Sequence, residues 1–196
     1  MRCQLSWCLS VMALLLPMTV FAAEVEYNPP AANQKTAFIK FKGILAKGDA
    51  LKLGNTLEVA QKTGKQLAVV LDLSGGDDSE AILTGRLIRS FQADTYHDYC
   101  ATECIFAFVG GVRRFLMKID PAAALVLNRP QYADIYVKSM DPTLTERVEK
   151  LRTHLKRMTG EDRLFNQMMD NPSTIPHTVE EKEALGTNLV TMVLRD

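Results

Sequence analysis

Cys100-Ala101-Thr102-Glu103-Cys104, running into the apolar segment Ile105 to Val109 and stopping at Gly110-Gly111, is the stretch from which the fold is read. Its counterpart upstream is Ser74-Gly75-Gly76-Asp77-Asp78. Each joins a small-residue turn to a run able to form a helix, so each can aim backbone N–H groups from a helix start into one cleft. Such a cleft is an anion hole. In a hydrolase or an acyl-CoA enzyme it stabilises an oxyanion, and a hydroxyl at the helix start beside it stands in the nucleophile's place. Thr102 holds that place.

Outward from these turns the pattern alternates. Thr36 to Phe41 reads as a strand with one wetter face, Gly43 to Gly48 as a turn, and Asp49 as the cap of a helix carrying Leu53, Leu57 and Ala60 that stops by Gly64. Leu67 to Leu73 is apolar except for Asp72, as in a parallel strand buried on both faces. Ser79 is placed to cap the helix of Ile82, Leu83, Leu87, Ile88 and Phe91, on which Arg86 and Arg89 are read as solvated. Thr95 to Tyr99 and Ala122 to Leu127 are further strands. The rest is mainly helical, opened by Thr143-x-x-Glu146, with a shorter helix capped by Thr178-x-x-Glu181 and a terminal strand over Leu189 to Leu194. This succession argues for an α/β fold of β-α-β crossovers.

The N-terminus has the form of a secretory signal. Arg2 supplies the positive end, Leu9 to Phe21 is a mostly apolar run interrupted by Pro17, and Val20-Phe21-Ala22 is a small-residue cleavage site. Residues 1–22 are therefore expected to be a signal peptide and 23–196 one mature domain beginning at Ala23, periplasmic or secreted, with no stable membrane span after cleavage. The alternative is retention of the run as an anchor. The 23 basic and 23 acidic residues balance, which gives no case for a nucleic-acid partner.

Cleavage would remove Cys3 and Cys8 and leave Cys100 and Cys104 in an oxidising compartment. Four residues apart on one helical face, their Cα atoms would lie roughly 6 Å apart, within disulfide range. A bridge is expected. A metal site from His97 with both thiols, and a pair of free buried thiols, are the alternatives.

The ordered set Phe41-Lys42-Gly43-Ile44, Leu71-Asp72-Leu73-Ser74-Gly75-Gly76, Gly85-Arg86-Leu87-Ile88-Arg89, Cys100-x3-Cys104, Gly110-Gly111-Val112-Arg113-Arg114 and Leu127-Asn128-Arg129-Pro130 resembles the ClpP-like, predicted periplasmic proteins of the ClpP/crotonase superfamily. The resemblance spans about Thr36 to Thr191. It implies a spiral of β-β-α units with a helical C-terminal part, an oxyanion-hole-like cleft at Gly75, Gly76 and Glu103, and a homo-oligomer. It also implies a nucleophilic serine at the position of Thr102 and a general-base histidine at the position of Asn128. Both residue types are changed here.

A neutral amide at Asn128 cannot take a proton from a hydroxyl near neutral pH, and threonine nucleophiles usually rely on a free amine that an internal Thr102 lacks. Asp77, Asp78 and Glu103 add negative charge where an oxyanion would develop. The expectation is an exported, catalytically inactive protein that keeps a peptide- or acyl-binding cleft or an assembly role, with a peptide or protein as ligand. One alternative is an active serine/threonine-type peptidase or other hydrolase using Thr102, with His97 weighed as a substitute base. A second is a cation-binding acidic cleft of Asp77, Asp78, Glu103 and His97. No cofactor and no structural metal is expected.

Overall fold

The structure is a computed structural model that describes residues 22–118, 123–139 and 141–195. The expected leader lies outside the described residues except for Ala22. In chain order the elements are β1 (Glu24–Tyr27), β2 (Thr36–Leu45), α1 (Asp49–Gln61), β3 (Gln66–Gly76), α2 (Asp78–Ser90), β4 (Asp94–Ala101) and α3 (Cys104–Phe108). They continue as β5 (Phe115–Met117), β6 (Ala124–Val126), α4 (Gln131–Ser139), α5 (Pro142–Thr159), α6 (Arg163–Asp170), α7 (Glu181–Gly186) and β7 (Met192–Leu194). Among the described residues no helix is long and apolar enough to cross a membrane.

One five-stranded sheet runs in the order β1-β2-β3-β4-β6. Strands β2, β3, β4 and β6 are mutually parallel, and β1 pairs antiparallel with β2. Parallel pairing requires crossovers, and α1 and α2 supply the first two. The alternating faces sort the side chains: Ile39 and Phe41 of β2 and Val69, Leu71 and Leu73 of β3 are fully buried against a core that includes Leu53 and Leu57 of α1. Each such side chain contributes roughly 1.5–3 kcal/mol of transfer free energy.

The opposite face departs from the sequence reading of β3 as buried on both sides. Val70 and Asp72 are only half-buried there, and Lys40 reaches Asp98 at 2.7 Å and Asp72 at 3.5 Å. Tyr96 stacks on Phe115 at 4.4 Å and meets Phe38 edge-on at 5.7 Å. Charged aliphatic stems and aromatic rings take the place of a covering helix on this face.

Helix caps also differ from expectation. Asp77, not Ser79, caps α2 by accepting from the Glu80 N–H at 2.9 Å. Asp141 with Pro142 opens α5 in place of Thr143, and Glu180 with Glu183 forms the capping box of α7 in place of Thr178. In each case a carboxylate two residues away won the competition for the free N–H groups.

Helices α2 and α3 meet backbone to backbone, since a Cβ on Gly85 would lie 2.3 Å from the Phe106 carbonyl oxygen. Arg89 is not solvated. Its guanidinium donates to the carbonyls of Gly110 (2.7 Å), Gly111 (3.0 Å) and Val109 (3.1 Å) and so caps the C-terminal end of α3. Above it, His154 of α5 contacts the Phe106 carbonyl at 2.7 Å, and burial pushes its pKa down to about 4.

Candidate functional site

The parallel strands deliver their C-terminal ends to one edge of the sheet, and two turns meet there. The first is Gly75-Gly76 at the end of β3, with φ of 121° and 132°. A Cβ on Gly76 would lie 2.3 Å from the Leu45 carbonyl oxygen and 2.5 Å from its nitrogen, so only glycine lets the chain pass β2 this closely.

The second turn links β4 to α3. Cys100 lies one residue before the end of the strand, Cys104 opens the helix, and a disulfide joins them with Cα atoms 5.2 Å apart. The bridge therefore spans a strand-turn-helix, and not one face of a helix as the spacing suggested. Inside it Thr102 has φ of 49°, an uncommon conformation for a β-branched residue. The Thr102 N–H donates to Val126 at 3.0 Å and the Ile105 N–H to the Thr102 carbonyl at 3.1 Å, so the turn is held at both ends as well as by the bridge.

Together the turns line a cavity of about 330 Å³. Ser74, Gly75, Gly76, Thr102 and Glu103 form one side, and Arg129, Gln131 and Ser173 close the other. Glu103 fills the space between the turns: its Oε2 accepts from the Gly76 N–H at 3.3 Å and lies 2.9 Å from where a Gly75 Cβ would be. Burial pushes the Glu103 carboxyl above the ordinary carboxylate range, and the charge of Asp78 adds to that. Among the described residues nothing accepts a hydrogen bond from Thr102 Oγ1.

Asn128 does not line this cavity. Its side chain is buried, and Oδ1 accepts the His177 N–H at 3.0 Å. His97 is likewise elsewhere. It is fully buried in β4, Nε2 accepts the Met117 N–H at 3.1 Å, and its ring meets Phe108 edge-on. Burial pushes its pKa down to about 4, so it is neutral and held at a distance from Thr102's cavity.

The acids named for the alternative cation-binding cleft are not brought together in the structure. Asp77 is occupied as a cap, and buried Asp78 takes two hydrogen bonds from Arg147, at 2.9 and 2.8 Å. Arg147 also lies over the Tyr132 ring at 3.9 Å. Burial pushes the Asp78 carboxyl up, but the Arg147 bonds and charge outweigh it and leave it below its ordinary value. Only Glu103 of the named acids reaches the cavity, and no metal-competent cluster of three His, Cys, Asp or Glu occurs among the described residues.

The far wall went unread in the sequence. Arg129 bonds Asp134 of α4 at 3.0 Å and the Met169 carbonyl, while Asp134 accepts from the Ser173 N–H at 3.2 Å and from its hydroxyl. This network ties α4 to the segment after α6 and sets Ser173 into the cavity. Its sequence signal was Pro130 followed by an acid in the first helical turn, a helix start that Asn128-Arg129-Pro130 announced without a strongly periodic run behind it.

No protein-family model matches the chain, and no curated protein matches it. Solved structures do. The chain is similar to ClpP1 from Listeria monocytogenes with a TM-score of 0.61 at 13% identity, covering 83% of this chain and 92% of that one. A point mutant of that ClpP1 gives a TM-score of 0.60 at the same identity and coverage. The chain has a ClpP-like α/β fold.

Proposed function

We propose that this chain is an exported ClpP-like protein that does not catalyse hydrolysis and keeps its cleft for holding a peptide or acyl group, or for assembly into a homo-oligomer. The observation that carries the reading is Glu103. A hole that stabilises an oxyanion offers free N–H groups to a developing negative charge. Here the Gly76 N–H already donates to the chain's own carboxylate. A substrate carbonyl would have to displace a group that competes for the same donor, and it would arrive beside a Thr102 hydroxyl that, among the described residues, donates a hydrogen bond to no base. Export is supported by the signal-like leader, and assembly by Ile135 and Val137, which are exposed on α4.

The test uses purified protein, wild type and Thr102→Ala, against a fluorophosphonate probe and a panel of activated esters and unstructured peptides. The expected result is no labelling and no turnover that distinguishes the two. Turnover that disappears in Thr102→Ala would establish the hydrolase alternative. Light scattering on the same samples reads the assembly state, and a monomer at all concentrations would remove the homo-oligomer from the proposal.

A further inference from the structure

Asp49 is a charged side chain with no exposure at all, at the first residue of α1. Three donors converge on it. The Ala46 N–H reaches Oδ2 at 2.8 Å, Lys52 Nζ reaches Oδ1 at 2.7 Å, and the Ala23 N–H reaches Oδ2 at 2.9 Å. The last donor is the nitrogen of the bond that the sequence marks for cleavage, after Val20-Phe21-Ala22. Ala23 is itself 2% exposed, whereas Ala22 is exposed.

We propose that Asp49 is the seat of the mature N-terminus: removal of the leader turns the Ala23 amide into an α-ammonium that ion-pairs with the buried Asp49 carboxylate. The inference rests on the export reading. The step is hydrolysis by a signal peptidase. Water adds across the Ala22–Ala23 bond, the carbonyl carbon of Ala22 leaves as a carboxylate, and the Ala23 nitrogen takes up protons to become cationic.

A buried carboxylate requires compensation, and its present cation is Lys52, whose side chain is half in solvent. A terminal ammonium at Oδ2 supplies a second cation from the interior side. Its remaining hydrogens face a groove of about 900 Å³ that Ala22, Ala23, Lys52 and Thr56 help to line. The other charged groups on that groove have partners of their own: Lys42 pairs with Glu24 at 3.5 Å, and Asp72 with Lys40 at 3.5 Å. Asp49 is thus the carboxylate placed to receive the new charge. Processing would thus turn the existing neutral hydrogen bond between Ala23 and Asp49 into an ion pair that ties the chain at β1 more firmly to α1.

The experiment expresses the full chain in an exporting host and begins with mass-spectrometric identification of the N-terminus. Next, the pH dependence of α-amine acylation gives the amine's pKa in wild type, in Asp49→Asn, and in a variant with one glycine inserted between Ala22 and Ala23. Free α-amines titrate near ~7.7–8.0, and the wild-type amine is expected about one unit higher, which is about tenfold slower acylation at pH 7 than in the insertion variant. Asp49→Asn should return it to the ordinary value, and if that variant does not fold the insertion variant decides. An N-terminus at another residue would overturn the export-linked processing itself. An Ala23 terminus whose amine titrates normally and reacts as fast as the inserted glycine would overturn the seat while leaving export intact.

Discussion

Replacing Arg147 with alanine leaves Asp78 buried without its partner, and the structure sets the size of the effect. A fully buried pair that loses one member costs about 3–5 kcal/mol, and an exposed pair about 0–1. This pair lies between those limits, because the Asp78 side chain is 7% exposed and that of Arg147 49%. Solvent screening of the guanidinium brings the ionic part to about 2 kcal/mol, and loss of the cation–π contact with Tyr132 adds about 0.5–1. The expected loss at pH 7 is about 2–3 kcal/mol, or a fall in Tm of about 5–10 °C.

The sign of the pH dependence follows from the depressed Asp78 pKa. The unfolded chain takes up this proton near pH ~3.9 while the folded protein stays ionised, so the stabilisation is complete above that pH and is lost as pH falls through the folded value. Urea denaturation of wild type, Arg147→Ala, Asp78→Asn and the double variant at neutral and acid pH measures both quantities. The deficit of Arg147→Ala should shrink in acid, and the double variant should be less destabilised than the sum of the singles. A deficit under about 0.5 kcal/mol at pH 7 would refute the reasoning, as would one of equal size in acid, which would assign the loss to packing instead.

Glu103→Gln keeps an acceptor for the Gly76 N–H and removes a carboxylate whose folded pKa is raised by burial. Because a raised acid penalises the fold only above its unfolded pKa, the variant should be more stable than wild type at pH 7 and equal to it in mildly acid solution; calorimetry showing a loss at pH 7 would reverse the sign. Replacing both Cys100 and Cys104 with alanine removes closure of a short loop, expected to cost about 2 kcal/mol in denaturant titrations, and unreduced native protein should resist alkylation at both positions. Gly76→Ala should cost at least about 3 kcal/mol or abolish folding, because the backbone of Leu45 has no room to retreat. Gly186→Ala, with nothing within 4 Å of the added carbon, is the control, expected to stay within about 0.5 kcal/mol of wild type.

The turns at Gly75-Gly76 and Thr102 were legible because glycine pairs and small residues beside apolar runs are local signals, and local signals survive in one dimension. The core strands were legible for the same reason. Partners remote in sequence were not. Asp78 looked like an oxyanion's opponent because Arg147, which neutralises it, lies 69 residues away on a helix without any mark of that pairing. Arg89 looked solvated because helical spacing gives an arginine's angle on its own helix but not the helix end that abuts it. The four-residue edge strand β1 and the helix α4 went unread, the first too short for a period and the second amphipathic only in part. The disulfide was legible as a pairing, but its reading along a helix failed because Cys100 belongs to the end of β4.

Asn128 carries a consequence for the C-terminal part of the chain. Its Oδ1 holds the His177 N–H, in line with bonds from Leu127 to the His177 carbonyl and from Val179 to the Leu125 carbonyl, both 2.9 Å. The segment from His177 to Val179 thereby leans on an amide at the position where the resemblance implies a histidine. An imidazole there cannot accept from His177 in the same place and also serve a hydroxyl in the cavity. Replacing Asn128 with histidine would remove this anchor before supplying any base to the cavity. A catalytic histidine at position 128 would require the 177–179 segment to be remodelled first, so the amide side chain serves the backbone here in a way an imidazole could not take over unaided.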